Sequence, residues 1–309
     1  PAAPRRETGM DVLYTALGVG LVLFGLNDVF HNLLYPSGRG TLSHWVLQLV
    51  WRLSRRTHHR LGSFAGPVGI VIVIVLWVLV QALGWALVFY PHVPENYLYS
   101  EGLDAARYNN FAEAFYVSLV TLGTLGFGDV VPAGPWLRFV APVEALVGFA
   151  LVTAALSWFS QIYPALAERR ALAARLRALR EVGYAHHVAG LGPASATRVL
   201  DQLAEDLTRA HVTLVQNAET YYFREVREDA SLAVSLPYAL EIAARAQDSA
   251  SPEIRLAGAV LSLAAHDFAR LLQEEFHSSG ETPEEAFTTY AVDHGYGDPP
   301  PRRSGRLGR

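Results

Sequence analysis

The sequence predicts an all-α membrane protein, and three observations carry that prediction. Of its 309 residues 51% are hydrophobic, and the mean hydropathy is positive, which is unusual for a soluble protein. Two long apolar runs stand in the middle of the chain. Between them lies a glycine-rich stretch with one acid and no base, "TLGTLGFGDVVP" at 121–132. We therefore expect membrane helices around a re-entrant loop, with an additional N-terminal membrane helix and a C-terminal helical domain.

The composition excludes two kinds of covalent or metal site. There is no cysteine, so neither a disulfide nor a thiolate metal site is possible. All 25 basic residues are arginine. They are unevenly placed along the chain, so their distribution is more informative about membrane topology than the net charge of −4. No cofactor and no nucleic-acid partner are expected.

The first predicted span, after a tail at 1–10, runs from Asp11 to Tyr35. Its apolar first part, Val12 to Leu26, is only 15 residues long. If the helix continues, one face carries polar groups that must look at protein or headgroups and not at lipid: Asp28, His31, Asn32 and Tyr35. The alternative is a short helix that ends near Leu26. An Asp28–His31 pair that senses pH is a second open possibility, beside a pair that simply satisfies itself.

Residues 41–60 predict a helix that lies along the membrane surface. The segment is too short and too charged to span. Its apolar stripe is Trp45, Val46, Leu49 and Leu53, and arginines gather at its end. These arginines do not recur every third residue inside an apolar span, which excludes a voltage sensor.

The two central runs predict membrane helices. Gly69 to Tyr90 has one strongly polar side chain, Gln81, and as a helix would be about 33 Å long, enough for a hydrocarbon core of about 30 Å. Its β-branched first half would also suit a buried strand, but its length and lack of turn residues favour a helix. Phe139 to Tyr163 is the next span, and its aromatic end suits an interfacial belt.

The segment at 109–132 lies between these two spans. It opens with a helix N-cap, Asn109 or Asn110, and is helical for about three turns, too short to cross. Irregular backbone at membrane depth is tolerated only where it is buried in protein or lines a watery cavity. Gly126 and Gly128 alternate with larger residues, which permits φ on both sides of zero and a row of carbonyls facing one way. One strand cannot surround a cation, whereas four copies around an axis can.

"TLGFGD", Thr124 to Asp129, resembles the selectivity-filter signature of potassium channels, usually written TVGYGD. The resemblance covers about 66–163, a third of the chain, as helix, pore helix, filter and helix. It implies that K+ binds the carbonyls of Thr124, Leu125, Gly126 and Phe127, ahead of Gly128, together with the Thr124 hydroxyl. It also implies that Asp129 braces the filter and that the pore helix aims its negative end at a central cavity.

Three departures from the signature point to a filter that gates or inactivates. Phe127 replaces Tyr and lacks the hydroxyl that tethers a filter to its pore helix. Leu125 replaces Val or Ile and is bulkier behind the strand. Gly123 stands where a second Thr is common, so one cavity hydroxyl is missing.

Two residues of the last span are gating candidates. Gly148 is either a hinge or a close-packing contact. Glu144 is either a partner, of the pore helix or of a cation in the cavity, or it is a solvated acid near the outer interface.

The sequence predicts five parts with defined limits. They are a tail at 1–10, a membrane helix and interfacial helix at 11–65, a pore module at 66–163, a helical cytoplasmic domain at 164–296 and a disordered tail at 297–309. Helices are predicted at 194–216, 231–247, 252–276 and 282–293, with prolines near two of their starts.

The function predicted from these parts is a homotetrameric, potassium-selective channel in the plasma membrane, multi-pass and not an enzyme. Alternatives are a weakly selective cation channel, a potassium uptake system, or a cytoplasmic signalling or scaffold module coupled to a pore. The ligand or partner of the cytoplasmic domain is not named by the sequence.

The arginines predict the topology. The 36–65 segment has five arginines and no acids, whereas 91–108 has three acids and one arginine. The positive-inside rule then places 36–65 and the C-terminal region in the cytoplasm, and 91–136 and the N-terminus outside.

Single-cysteine labelling tests this topology without background, because the chain has no cysteine. In whole cells an impermeant thiol reagent should leave Ser37→Cys unmodified and should modify Glu101→Cys. Labelling of Ser37→Cys from outside would reverse the assignment.

Overall fold

The computed structural model describes residues 9–33, 40–57, 62–108, 110–276 and 280–297. Most of the two predicted tails lies outside these residues. The described part is almost entirely helical, as predicted, and it also contains one two-stranded antiparallel sheet that the sequence did not predict. The helices are α1 (Gly9–Leu33), α2 (Thr41–Arg56), α3 (Ala65–Phe89), α4 (Phe111–Leu122), α5 (Leu137–Glu181), α6 (Tyr184–His187), α7 (Pro193–Gln216), α8 (Leu232–Gln247), α9 (Pro252–Phe276) and α10 (Pro283–Asp293), and the strands are β1 (Tyr97–Tyr99) and β2 (Val130–Pro132).

The chain divides into two compact units. The first unit comprises residues 1–46 and 70–160, and the second comprises residues 47–69 and 161–309. Helix α5 has 45 residues and continues without interruption through the predicted domain limit at 163/164. At 1.5 Å per residue it is about 68 Å long, more than twice a hydrocarbon core.

Among the residues that the structure describes, three helices are long and apolar enough to cross a membrane: α1, the helical stretch Gly62–His92 that contains α3, and α5. The strand reading of the β-branched run is therefore wrong, because that run is the first half of a 25-residue helix. The short form of α1 is wrong as well, since α1 continues past Leu26 to Leu33.

Helices α1 and α3 approach closely through small residues. A methyl group on Gly18 would lie 2.5 Å from the carbonyl oxygen of Gly84, so a larger side chain does not fit. Beside this crossing the Gln81 amide donates to the Val22 carbonyl at 3.0 Å. Small residues and interhelical hydrogen bonds hold membrane helices together where lipid supplies no hydrophobic driving force.

The polar face of α1 looks at protein, as predicted for a continuous helix. Asp28 is buried and accepts hydrogen bonds from two other helices, and the Asn32 Oδ1 lies 3.3 Å from the Ser43 hydroxyl, whose one hydrogen it shares with Asp28. The His31 ring instead contacts the Asn27 carbonyl of its own helix at 2.9 Å.

Helix α2 has two faces, and one stripe residue is corrected. Trp45, Leu49 and Leu53 are exposed, as expected of a helix with an apolar face for a membrane surface. Val46, which the sequence assigned to the same stripe, is buried. It belongs to the opposite face with Ser43, Leu47, Trp51 and Ser54, which recur every three or four residues.

The second unit is a helical domain around α7 to α10. All four helices predicted after residue 190 are confirmed to within one residue at either end. Asp293 is a polar centre of this unit: it accepts from the Trp51 indole at 2.8 Å, from the Tyr221 hydroxyl at 2.7 Å, and from Arg55. The buried Arg169 donates to the carbonyl of Thr220 and to the hydroxyl of Tyr290.

Candidate functional site

The candidate site is the loop between α4 and β2. Helix α4 has 12 residues, about 18 Å, and is too short to cross a bilayer. It begins as predicted at an N-cap, Asn110, whose side-chain oxygen accepts from the Glu113 N–H at 3.0 Å. The chain then returns through residues 123–129 to β2, which pairs with β1.

The backbone of this loop alternates in handedness. Thr124, Gly126 and Gly128 have φ of +53°, +57° and +77°, whereas Leu125 and Phe127 between them do not have positive φ. Such alternation is what a row of carbonyls facing one side requires. The sequence predicted positive φ at the two glycines and did not predict it at Thr124.

Thr124 adopts a conformation that β-branched residues avoid. It is the one non-glycine residue with positive φ in the part of the chain that the structure describes. Backbone of this kind costs on the order of 1–3 kcal/mol and persists where the surroundings impose it, typically at functional sites. At Gly126 and Gly128 an added methyl group would meet nothing within 4 Å of the same chain. Their requirement for glycine is therefore conformational.

The start of the loop is tied to the C-terminal end of α4. The N–H groups of Thr124 and Leu125 donate to the carbonyls of Thr121 and Val120, both at 2.9 Å. These bonds fold the chain back directly after α4 ends. The loop thus starts at the end of a helix where the partial charge is negative.

The far end of the loop is held by three hydrogen bonds. The Tyr116 hydroxyl of α4 donates to the Asp129 carboxylate at 2.6 Å. Ser100, next to β1, donates its N–H to the Asp129 carbonyl at 2.9 Å and its hydroxyl to the Gly128 carbonyl at 3.3 Å. The carbonyls of Gly128 and Asp129 are thereby engaged, and those from Thr124 to Phe127, the four predicted ligands, precede them.

Tyr116 and Ser100 were not singled out from the sequence. The brace assigned to Asp129 named no donor, and both donors are ordinary residues in separate elements. The signal available for Tyr116 is its place on α4, three residues after Glu113, whose N–H donates to the N-cap Asn110.

Glu144 is the partner of α4, and the solvated alternative is wrong. Its side chain is fully buried, and its Oε1 accepts from the Ser118 hydroxyl of α4 at 2.6 Å. Its Oε2 is buried without a hydrogen-bond partner among the described residues. The sequence did not predict the role of Ser118, because a small hydroxyl residue in an apolar helix has no distinctive pattern.

Gly148 is a close-packing contact in this structure. A methyl group there would lie 2.8 Å from the carbonyl carbon of Leu122, the last residue of α4, and closer still to its oxygen. Its use as a hinge remains a prediction. The two gating candidates thus both hold α5 against α4.

Comparisons with known proteins match the region that contains this loop. Residues 68–163 match a protein family described as "Ion channel". The chain is 24% identical over 178 residues to an uncharacterized membrane protein, YdjJ, of Bacillus subtilis, covering 56% of this chain and 51% of that protein.

Two further relatives are named as potassium channels. The inward rectifier potassium channel Kirbac3.1 of Paramagnetospirillum magnetotacticum is 30% identical over 91 residues, which are 29% of this chain and 28% of the relative. Two pore potassium channel c of rice, Oryza sativa subsp. japonica, is 34% identical over 79 residues, which are 26% of this chain and 16% of the relative. The chain thus spans about half or less of the length of the relatives it matches. No significant match was found among solved structures.

The contact at Gly148 gives a prediction. Gly148→Ala should lower the melting temperature of the purified protein in detergent, because overpacking against a backbone carbonyl costs about 1–3 kcal/mol. The control is Gly20→Ala on α1, where an added methyl group meets nothing within 4 Å.

The control should leave the melting temperature unchanged or slightly higher, because alanine favours a helix. Equal melting of the two variants would show that α5 and α4 do not approach as described.

Proposed function

We propose that this chain is a tetrameric, potassium-selective channel, because residues 68–163 match an ion-channel family and two proteins similar to part of the chain are named as potassium channels. It conducts K+ passively through a filter at Thr124–Gly128, and K+ is its permeant substrate. The match to an ion-channel family indicates a channel and not an enzyme. No cofactor is part of the proposal.

One observation carries the assignment of the filter: φ alternates in sign from Thr124 to Gly128, directly after a helix too short to span. In such a strand the carbonyls of Thr124, Leu125, Gly126 and Phe127 replace the hydration shell of the ion. The Thr124 hydroxyl adds a ligand at the inner end.

Residues around the loop meet two further requirements of conduction, a favourable charge for a cation and a support for the strand. The C-terminal end of α4 carries partial negative charge and favours a cation where the filter begins. At the outer end, Asp129 and its donor Tyr116 keep the strand from collapsing when the ion leaves. Because Phe127 has no hydroxyl, this brace bears more of the load than in a filter with Tyr, which favours inactivation when it fails.

The tetramer is supported by the loop, because irregular backbone at membrane depth must be covered by protein and a single chain leaves the side chains of this loop exposed. Leu125 and Phe127 of the filter are 58% and 63% exposed. Along α5 one face is buried within the chain, and the opposite, broader face is apolar and exposed: Phe139, Val143, Leu146, Phe149, Val152 and Leu156. Neighbouring copies around a common axis cover the filter side chains and bring four carbonyl strands to one ion.

The proposed location is the plasma membrane, with several spans and the C-terminal domain in the cytoplasm. Three helices suitable for crossing and a curated membrane-protein relative support the membrane part. The arginine distribution supports the orientation.

The oligomeric state is the first prediction of this proposal. The full chain extracted in mild detergent should have the mass of four copies by native mass spectrometry, because one or two carbonyl strands cannot enclose an ion. A protein that is monomeric or dimeric while still folded would contradict the filter.

The second prediction concerns the filter glycine. Gly126→Ala should abolish K+ flux in liposomes while the tetramer remains, because alanine at φ +57° forces a carbonyl out of the row. The matched control is Gly102→Ala, which introduces the same kind of strain at φ +95° with nothing within 4 Å, outside the loop.

The control should conduct like the wild type. Unchanged flux in Gly126→Ala would reject this loop as the filter. Loss of flux in both variants would attribute the effect to backbone strain in general.

A further inference from the structure

Asp28 is a buried carboxylate inside a helix that could span a membrane. It accepts four hydrogen bonds from two other helices. From α2 come the Leu42 N–H at 2.8 Å, the Ser43 N–H at 3.3 Å and the Ser43 hydroxyl at 3.0 Å. From α3 comes the Trp77 indole N–H at 2.8 Å. Ionisable residues at such places are costly and mark functional sites by default.

The bonds to α2 make Asp28 a cap supplied by another helix. Leu42 and Ser43 lie in the first turn of α2, whose N–H groups have no partner within the helix. A carboxylate there satisfies them and complements the positive end of the helix. The start of α2 is therefore fixed to α1 by one side chain.

Trp77 extends this connection to α5. Its ring is stacked on Trp158 with centroids 5.2 Å apart and planes 29° apart, and both rings are 1% exposed. Trp158 lies on α5, ten residues beyond Gly148. A continuous set of contacts thus runs from the first turn of α2 through Asp28 and Trp77 to the helix whose exposed face is proposed to meet the neighbouring copies.

We propose that Asp28, Ser43, Trp77 and Trp158, the Asp28 cluster, form a gating link that couples the position of α2 to α5. The inference rests on the proposed channel function and adds its regulation. A displacement of α2 removes up to three donors from Asp28 at once, and each donor lost from a buried carboxylate is costly. We therefore expect the cluster to change between discrete arrangements and not to respond gradually.

A purely structural contact would not need this chemistry. Apolar side chains of similar volume pack as well or better than buried charged groups. Elsewhere α1 and α3 are held together by the close approach of Gly18 and Gly84. The polar cluster thus supplies specificity of position at a place where packing alone would hold the helices.

Single-channel recording of the purified full chain in planar bilayers tests the link. Ser43→Ala, Asp28→Asn and Trp77→Phe each remove bonds from the same arrangement. Each should shift the open–closed equilibrium in the same direction, by about tenfold for one bond to a charged group. Unitary conductance should not change, because the filter is untouched.

The matched control is Trp85→Phe, the same substitution two turns along α3. The Trp85 indole nitrogen is buried without a hydrogen-bond partner among the described residues. This variant should open and close like the wild type. The double variant Asp28→Asn/Trp77→Phe should shift the equilibrium by less than the product of the single effects, because both changes act on the same bond between Trp77 and Asp28.

The outcomes separate the two proposals. Absence of K+ current in the wild type would refute the channel function, and the link with it. With a conducting wild type, Trp77→Phe behaving like Trp85→Phe, or variants that shift the equilibrium in opposite directions, would refute the link alone. Ser43→Ala removes only a hydroxyl and so tests the link even where a larger change impairs folding. An open–closed equilibrium equal to that of the wild type in this variant would also refute the link.

Discussion

The structure depends on one constraint: irregular backbone at membrane depth must be satisfied and held by protein. Lipid offers no hydrogen bonds, so a non-helical strand within a bilayer is stable only where its polar groups have partners or face water. The loop from Gly123 to Asp129 meets this condition at both ends. The end of α4 closes on its first residues, and Tyr116 and Ser100 hold its last two. The carbonyls from Thr124 to Phe127, the proposed ligands of the ion, lie between these contacts.

The other helices of the first unit keep this loop in place. Helix α5 approaches the end of α4 at Gly148, and Glu144 receives the Ser118 hydroxyl from the middle of α4. Both contacts require unusual residues, a glycine for proximity and a buried acid for a hydrogen bond. Polar side chains in these apolar helices therefore mark where one helix must have a fixed position relative to another, and Asp28 does the same for α1, α2 and α3.

Patterns that act within a short stretch could be predicted from the sequence. Apolar length gave the spans, the N-cap gave the start of α4, and the spacing of Gly126 and Gly128 gave the alternating backbone. Contacts between distant elements could not be predicted, because no local pattern specifies them. Ser118 as the donor to Glu144, Tyr116 as the donor to Asp129 and the burial of Val46 are of this kind. The strained Thr124 belongs with them, since its own preference opposes the conformation that its neighbours impose.

The central claim is that K+ loses its hydration to the carbonyls of this loop and Na+ does not. The reversal potential of the purified wild-type protein in a planar bilayer, with K+ on one side and Na+ on the other, measures this directly. The account predicts a large potential of the sign set by K+ permeation. Equal permeability to the two ions would contradict it, even if the protein conducts.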